Sequence, residues 1–158
     1  MAIRTIRTEG DEILRKKSKK VEVIDEKIKE LIQDMIETLH KYDGVGLAAV
    51  QVGILKQIVI IQEVADKPIY VIINPEIISQ SGVQVVEEGC LSFPNKFAKI
   101  ERPEKIKIRA MDENGKKVEI IGKGLLAQAI SHEIDHLNGK VFIDKIIPGT
   151  LEIVKPEK

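Results

Sequence analysis

Two histidines and a single cysteine are the residues whose types and spacing are best suited to chemistry. His132 and His136 are four positions apart in the segment His132-Glu133-Ile134-Asp135-His136, so a helix with 3.6 residues per turn places them on one face. Two imidazoles in this arrangement can hold one metal ion, with the Glu133 carboxylate beside the ion rather than bound to it. Cys90, the one cysteine of the chain, can supply a thiolate as the third ligand. Three protein ligands and a fourth position open to water are typical of a catalytic metal site.

The surroundings of Cys90 leave a simpler interpretation open. Cys90 lies in the segment 87–94, directly after a predicted strand. There we expect Gly89 to allow unusual backbone angles and Pro94 to end any regular strand pairing. A lone cysteine is more often a small buried apolar residue, and histidines on a helix can be incidental core or surface residues. Beside a helix with two correctly spaced histidines, the metal site is the favoured interpretation. Thiolate and imidazole suit Zn²⁺ or Fe²⁺, and ligand softness alone does not decide between them.

A second segment, 44–51, is rich in glycine and alanine and ends at Gln51. Its letters match the dinucleotide fingerprint G-x-G-x-x-A, but it follows a predicted helix and no βαβ unit surrounds it, which argues against nucleotide binding. We expect a loop whose small residues let backbone approach a ligand, with the Gln51 side-chain N–H directed at a developing oxyanion. The alternative is a tight turn packed under the metal-binding helix, with Gln51 facing solvent.

The helix that carries the histidines is predicted from about residue 124 to residue 138. It is apolar on most sides, which predicts that it is buried, and Gly139 suits the left-handed cap that ends a helix. On a helical wheel Leu125 and Ala129 fall within the arc that carries the histidines. This face therefore resembles the wall of a pocket beside a metal ion.

An earlier stretch, residues 25–40, predicts an N-terminal amphipathic helix. Its apolar side chains follow the i, i+3, i+4, i+7 pattern, with charged residues on the opposite face and Asp25 as a plausible cap. His40 ends this helix, where a cation is favoured by the helix dipole. We interpret His40 as a structural or exposed residue and not as a metal ligand.

Short strands are predicted between the two helices, because the sequence becomes rich in β-branched residues there. Their pattern predicts an α+β fold, in which antiparallel strands pack around a central buried helix that carries the HExxH-type motif. We expect Asn74-Pro75 and Arg102-Pro103 to interrupt the strands, and Asn114-Gly115 to form a hairpin turn. No repeat or linker divides the chain, so residues 1–158 are expected to form a single domain. The predicted strands are 58–61, 69–73, 83–86, 105–111 and 117–121.

The composition excludes several classes of function. Lys and Arg together number 25, as do Asp and Glu, so no basic excess indicates nucleic-acid or membrane binding. The basic run 15–20 is interpreted as a solvated surface. One cysteine suits a reducing compartment. The N-terminus lacks the apolar core of a signal peptide, and no apolar run has the length of a membrane span, so we expect a cytoplasmic protein.

Three segments of this chain, in this order, resemble the three motifs of the peptide deformylases: 44–51, 88–92 and 132–136. The resemblance extends over nearly the whole chain, including the opening segment 10–15. It implies an enzyme that removes the N-formyl group from N-formylmethionyl nascent peptides. It also implies one divalent metal bound by Cys90, His132 and His136, with Fe²⁺ as the native ion and Zn²⁺ or Ni²⁺ as substitutes.

The resemblance further implies a mechanism and a binding site. Metal-bound hydroxide attacks the formyl carbon, Glu133 acts as general base and then general acid, and formate is released. The Gln51 side chain and the Leu91 backbone N–H hold the oxyanion, and the backbone of Gly46 and Gly89 holds the peptide in a strand-like manner. The methionine pocket would be lined by Val45, Val86, Leu125 and Ala129.

The chain departs from the family pattern in places. Phe97 stands near a position where some members carry an arginine that contacts the peptide, and Gln128 is polar where an apolar pocket neighbour is expected. Longer members finish with a C-terminal helix linked to ribosome contact, so a transient ribosome contact would need another surface here. Two rivals stay open: a zinc peptidase that cuts ordinary peptide bonds, and a binding module with a closed structural metal that uses His40 as fourth ligand.

Overall fold

The computed structural model describes residues 2–154, so residues 1 and 155–158 of the expected domain lie outside the described residues. The described part contains two α-helices, eight strands and short 3-10 turns. No helix in it combines the length and apolarity needed to cross a membrane. In chain order the helices and strands are α1 (Glu26–Lys41), β1 (Gly46–Ala48), β2 (Ile58–Ile61), β3 (Tyr70–Ser81), β4 (Gln84–Cys90), β5 (Phe93–Arg102), β6 (Lys105–Met111), β7 (Lys117–Lys123), α2 (Leu125–Leu137) and β8 (Glu152–Ile153).

Two antiparallel sheets account for these strands. The larger has the order β1-β2-β3-β6-β7, and the smaller has the order β4-β5-β8. The predicted α+β class, with antiparallel strands and two helices, is therefore confirmed. The cleft described below opens between β1, at the edge of the larger sheet, and β4, at the edge of the smaller one.

The larger sheet is covered by a helix on each face, and the sequence of β2 shows why. Ile58 and Ile60 pack in the core cluster that contains the apolar face of α1, whereas Val59 and Ile61 pack in the cluster that contains α2. Alternate side chains of a strand point to opposite faces, so a strand covered on both sides must be apolar throughout. A run of four β-branched residues meets that requirement.

Helix α1 begins where its sequence indicates. The Asp25 side chain accepts a hydrogen bond from the Ile28 backbone N–H at 3.0 Å, as expected of an N-cap. Helix α2 lacks a side-chain cap and follows Gly124, whose φ of +58° is accessible mainly to glycine. At its other end Gly139 has a φ of +74°, and a Cβ there would lie 2.4 Å from the Arg15 carbonyl oxygen. Glycine thus lets the segment before Lys16 pack closely against the end of α2.

Two of the prolines lie inside strands that the sequence predicted they would interrupt or end, whereas Arg102-Pro103 separates β5 from β6 as predicted. Pro94 lies inside β5, a strand that sequence reasoning missed, and Asn74-Pro75 lies inside β3. In both cases the pairing shifts register at the proline, between Ile73 and Glu76 in β3 and between Gly89 and Cys90 opposite β5. A bulge removes the need for a ladder N–H, so proline is tolerated there.

The segment 44–51 is not the irregular loop that was predicted. Gly46–Ala48 form β1, which pairs with β2, and Ala49–Val52 form a 3-10 turn. Pairing with an already buried strand satisfies the backbone groups of this apolar segment. The hairpin prediction for the last two strands of the larger sheet is confirmed, since β6 and β7 pair in register around a turn with Gly115 at φ +79°.

Candidate metal centre and cleft

Three side chains that are distant in sequence meet at the junction of β4 and α2. Cys90 is the last residue of β4, and His132 and His136 are one turn apart on α2. The His136 Nε2 atom lies 3.3 Å from the Cys90 Sγ atom and 3.2 Å from the His132 Nε2 atom. All three ligand atoms lie within 4.8 Å of one another. The structure therefore brings together the three residues that the sequence predicted as metal ligands.

The spacing of these atoms fits a tetrahedral metal ion. Tetrahedral coordination with bonds of about 2.0–2.3 Å separates neighbouring ligand atoms by about 3.3–3.6 Å. The observed distances of 3.2 and 3.3 Å are close to this range. One thiolate and two imidazoles are also ligands of suitable softness for Zn²⁺ or Fe²⁺. On both grounds the residues present fit a bound metal.

Glu88 fixes the orientation of His132. The His132 Nδ1 atom lies 2.6 Å from the Glu88 Oε2 atom, so the shared proton occupies Nδ1 and leaves Nε2 free to bind a metal. Such a carboxylate behind a metal-binding imidazole is a common device for holding the ring in one tautomer. Burial alone would raise the pKa of Glu88, but hydrogen bonds from His132 and Arg102 outweigh it and lower that pKa to about 2. Glu88 is therefore a carboxylate at neutral pH.

Arg102 connects Glu88 to the helix that carries the histidines. Its side chain is 2% exposed, its Nε donates to Glu88 Oε1 at 3.0 Å, and its Nη1 donates to Asp135 at 2.7 Å. The guanidinium thus links β4 and β5 to α2 at the residue directly before His136. A buried arginine with two carboxylate partners is held rigidly, because its positive charge is compensated and several of its N–H groups are hydrogen-bonded.

Glu133 lies at the bottom of the cleft beside Gly46. A Cβ at Gly46 would lie 2.6 Å from the Glu133 Oε2 atom, so only glycine allows this close approach of β1 to the carboxyl group. The Glu133 Oε1 atom is buried and has no hydrogen-bond partner among the described residues. Burial, supported by the nearby charge of Glu88, raises the pKa of Glu133 to about 7. The group is therefore suited to accept and return a proton near neutral pH.

Gln51 faces the metal cluster and not the solvent. It is 1% exposed, its Oε1 accepts a hydrogen bond from the Ala48 N–H at 3.0 Å, and its Nε2 lies 3.1 Å from the Ser92 Oγ. The same Nε2 lies 3.6 Å from the Cys90 Sγ atom. The alternative in which Gln51 points into solvent is therefore wrong, and the amide N–H group is directed toward the cluster.

The cluster opens into a cleft with a volume of about 760 Å³. Most of the residues predicted to contact substrate line it, together with Gln51, Cys90, Leu91, His132 and Glu133. His136 is fully buried behind them. The predicted contacts found in the lining are Val45, Gly46, Gly89, Leu125 and Ala129.

Val86 is the exception, and its predicted contact with the substrate stays a prediction. It packs beside the core cluster that contains Phe93 and Phe142, and it is not among the residues that line the cleft. Side chains alternate along β4, so Val86, Glu88 and Cys90 share the inward side, whereas Glu87 and Gly89 are on the other. The partly buried Val86 side chain therefore extends the core at this point of β4.

The expectation of unusual backbone angles at Gly89 is wrong, whereas its predicted contact with the peptide stays a prediction. It does not have a positive φ, so no unusual backbone angle is required. A Cβ at Gly89 would instead lie 2.8 Å from the ring of Phe97 on the paired strand. The residue is small because an aromatic ring packs against the backbone there.

The remaining polar candidates occupy other places. His40 lies outside the cluster, and its Nε2 is 2.7 Å from the Gln62 Oε1 atom, so it does not serve as a fourth metal ligand. Gln128 lines the cleft, and its Nε2 donates to the Glu87 carbonyl oxygen at 3.2 Å. This polar residue therefore attaches α2 to β4 as well as contributing to the cleft wall.

Sequence reasoning assigned no role to Glu88, Arg102 or Asp135, although they hold the histidines in place. One signal was available for Glu88: strand alternation puts it on the same face as Cys90, where a carboxylate can reach an imidazole. The strand that carries Arg102 was not predicted, so its direction could not be inferred. Asp135 has the ordinary appearance of a helix surface residue.

Comparisons with known proteins agree with this geometry. A family model described as polypeptide deformylase matches residues 3–151. The peptide deformylase of Alkaliphilus metalliredigens is 54% identical over 147 residues, which are 93% of this chain and 99% of that protein.

Solved structures give the same result. The crystal structure of a peptide deformylase from Legionella pneumophila aligns with a TM-score of 0.90 at 47% identity, covering 93% of this chain and 88% of that one. A peptide deformylase from Synechococcus elongatus in complex with actinonin aligns with a TM-score of 0.88 at 39% identity, covering 92% of this chain and 80% of that one. The chain belongs to the polypeptide deformylase family.

Proposed function

We propose that this member of the polypeptide deformylase family removes the N-formyl group from N-formylmethionyl peptides. One observation carries the proposal: three metal-ligand side chains and an unpaired buried carboxylate meet at the bottom of an open cleft. The family match supports the choice of a formyl amide as substrate. In the cell the substrates are nascent chains, and we place the enzyme, with residues 1–158 as one catalytic domain, in the cytoplasm.

The metal would be held by Cys90, His132 and His136, with Glu88 behind His132. We propose Fe²⁺ as the native ion, with Zn²⁺ or Ni²⁺ able to replace it, because thiolate and imidazole accept all three. When bound, the ion supplies Lewis acidity, which lowers the pKa of a water at the open position to near neutral. Helix α2 thereby acts as the catalytic helix of the enzyme.

Glu133 moves the proton that the reaction requires. Its carboxylate takes a proton from water as the water oxygen bonds to the formyl carbon. It then returns that proton to the amide nitrogen as the carbon–nitrogen bond breaks, so that formate and a free amine are the products. Burial raises the pKa of this carboxyl group, which helps it to hold the proton between the two transfers. The lone unpaired oxygen of Glu133 is available for this exchange.

The oxygen of the formyl group gains negative charge as the water adds. We assign its stabilisation to the Gln51 side-chain amide and the Leu91 backbone N–H, in addition to the metal. Support comes from the burial of Gln51 beside the Cys90 Sγ atom, since fixed donors in a site shielded from water stabilise charge most effectively. Loss of one such donor costs about 3 kcal/mol of barrier in comparable sites.

The peptide would lie between the edges of β1 and β4. We propose that the backbone of Gly46 and Gly89 pairs with it, and that the methionine side chain enters between Val45, Leu125 and Ala129. These side chains are apolar, as methionine requires, and both strand edges border the cleft. The actinonin complex of the Synechococcus relative leads us to expect that actinonin occupies the same cleft here.

Hydrolysis of two matched peptides tests the function. We expect formate release from formyl-Met-Ala-Ser and negligible turnover of acetyl-Met-Ala-Ser, because the extra methyl group crowds the carbon that is attacked. Addition of actinonin should abolish the first reaction. Equal turnover of both peptides, or cleavage of an internal peptide bond, would favour the rival zinc peptidase and refute the deformylase proposal.

A further inference from the structure

The side-chain amide of Gln51 has only one orientation that satisfies its neighbours. An amide oxygen accepts hydrogen bonds, whereas the amide nitrogen carries two N–H groups and can only donate. The Ala48 backbone N–H lies 3.0 Å from the Gln51 Oε1 atom, so the oxygen must be on that side. The nitrogen Nε2 therefore faces the metal cluster, with two N–H groups that need acceptors.

Ser92 accepts the first of these N–H groups. Its Oγ atom lies 3.1 Å from the Gln51 Nε2 atom, and the residue has an exposure of 0%, so solvent cannot take its place. Because an amide group is planar, the direction of one N–H group fixes that of the other. The second N–H group of Gln51 therefore lies toward Cys90, whose Sγ atom is 3.6 Å from Nε2.

The backbones of Gln51 and Ser92 are attached to the same N-terminal segment. The Arg7 N–H donates to the Gln51 carbonyl oxygen at 2.7 Å, and the Glu9 N–H donates to the Ser92 carbonyl oxygen at 2.8 Å. Residues 7–9 thus hold together two residues that are 41 positions apart in the chain. The separation of the two side chains is therefore set by the backbone as well as by their own hydrogen bond.

We propose that Ser92 is a positioning residue for the Gln51 amide. This inference rests on the proposed deformylase function and on the assignment of Gln51 to the formyl oxygen. The Ser92 hydroxyl group binds one N–H group of Gln51 and leaves the other directed at the oxygen that gains negative charge. A donor that is already oriented needs no reorganisation as this charge develops. Ser92 does not line the cleft, so it acts through Gln51 and not on the peptide.

Removal of the hydroxyl group tests this role. Ser92→Ala removes one oxygen atom and introduces no new steric contact. We expect kcat for formyl-Met-Ala-Ser to fall about tenfold, because the donor is retained but no longer fixed, whereas loss of a whole donor costs about 10²–10³-fold. KM should be unchanged, since the stabilisation acts on the transition state alone. Metal content should stay at the wild-type level.

A double-mutant cycle shows whether Ser92 acts through Gln51. Gln51→Met keeps the length of the side chain and removes the amide, so we expect kcat to fall about 100-fold. Adding Ser92→Ala to that variant should cause no further loss, because the group that Ser92 orients is already absent.

Thr38→Ala is the matched control. It also removes a fully buried hydroxyl group, which donates to the Asp34 carbonyl oxygen at 2.7 Å within α1 and outside the cleft lining. We expect this variant to keep the wild-type kcat. Urea unfolding identifies the temperature at which every variant is folded, and the kinetics are measured there.

The outcomes separate this inference from the proposed function. If wild type does not hydrolyse formyl-Met-Ala-Ser, the proposed function itself fails. If it does, and Ser92→Ala keeps the wild-type kcat or changes only KM, the role of Ser92 alone is refuted. An unchanged kcat in Gln51→Met would remove the oxyanion role of Gln51 and the role of Ser92 with it. A loss that recurs when Ser92→Ala is added to Gln51→Met, or that also appears in Thr38→Ala, would likewise overturn the inference.

Discussion

Helices α1 and α2 cover opposite faces of one sheet, but they bury different kinds of side chain. The inward side of α1 is apolar, with Asp34 and Thr38 as its buried polar residues. The buried residues of α2 include His132, Glu133 and His136. A buried ionisable group costs free energy unless it is paired. The buried His132, Glu133 and His136 side chains therefore lower the stability of the fold. The comparison indicates that α1 stabilises the fold, whereas α2 depends on its partners to keep reactive groups in place.

Replacement of Glu133 on α2 should have the largest effect, a loss of activity. Glu133→Gln removes proton transfer, so we expect kcat/KM for formyl-Met-Ala-Ser to fall about 10³-fold. Stability should be unchanged or increased, because a buried ionisable group with a raised pKa is removed. Denaturant unfolding measures the stability. Full activity would exclude Glu133 from the mechanism, and a large loss of stability would contradict the contrast with α1.

Removal of Arg102 should destabilise the α2 side of the molecule. Arg102→Met leaves the buried Glu88 without its cation, and breaking a buried ion pair in this way costs about 3–5 kcal/mol. The matched change is Arg4→Met, because Arg4 is the ion-pair partner of Asp34 on α1. It should cost about 1 kcal/mol or less, since Arg4 is 31% exposed. Urea unfolding of both variants checks this order. Equal losses would show that the two ion pairs contribute alike.

A substitution on the apolar side of α1 should lower the free energy of unfolding and leave the activity unchanged. Met35 is fully buried, so Met35→Ala should lower the free energy of unfolding by about 2–4 kcal/mol. Its kcat at a temperature where the variant is folded should match that of wild type. A fall in kcat as large as that of Glu133→Gln would mean that α1 also shapes the active site.

Glu88 should affect metal affinity as well as folding. In Glu88→Gln the side-chain amide oxygen can still accept a hydrogen bond from the His132 Nδ1–H group, but the side chain no longer carries the charge that supports the imidazole. We expect metal affinity to fall about 10- to 100-fold, as for other partners of metal-binding histidines. Competition with a chelator measures the affinity. Unchanged affinity would reduce Glu88 to a purely structural partner of Arg102.

The smallest expected effect is the pH dependence of the stability that Asp34 on α1 contributes. Burial would raise the pKa of Asp34, but the Ala2 N–H and the Arg4 guanidinium outweigh it and lower that pKa. A lowered carboxyl pKa contributes stability above the pKa of the unfolded state, about 3.9, and this contribution is lost as pH falls through the folded value. Asp34→Asn should therefore be less stable than wild type by about 1 kcal/mol at pH 6, with the gap closing toward pH 2. A gap that does not depend on pH would contradict this.

Local patterns predicted most of what lies within single elements. The 3.6-residue repeat located both helices to within about two residues of the observed ends, and the β-branched run Ile58–Ile61 indicated a strand. The spacing of His132 and His136 placed both imidazoles on one side of α2, since helix geometry fixes that relation.

Relations between elements were harder to predict. Strand β5 was missed because Pro94 suggests an end, and only the bulge opposite Cys90 makes it acceptable. Because β5 was not predicted, the contact of Arg102 with Glu88 could not be inferred. Val86 was assigned to the pocket from the resemblance alone, which could not show that its side chain packs beside the core cluster of Phe93 and Phe142. In each case the missing information was tertiary: which strand pairs with which, and in which register.

Metal content per chain tests the central claim most directly. The claim is that Cys90, His132 and His136 hold the metal while Glu133 beside them only moves the proton. We predict one divalent ion per chain in anaerobically purified wild type and in Glu133→Gln, and none in His132→Ala that is still folded. A Glu133→Gln variant without metal, or a folded His132→Ala variant that retains a full equivalent, would contradict the account.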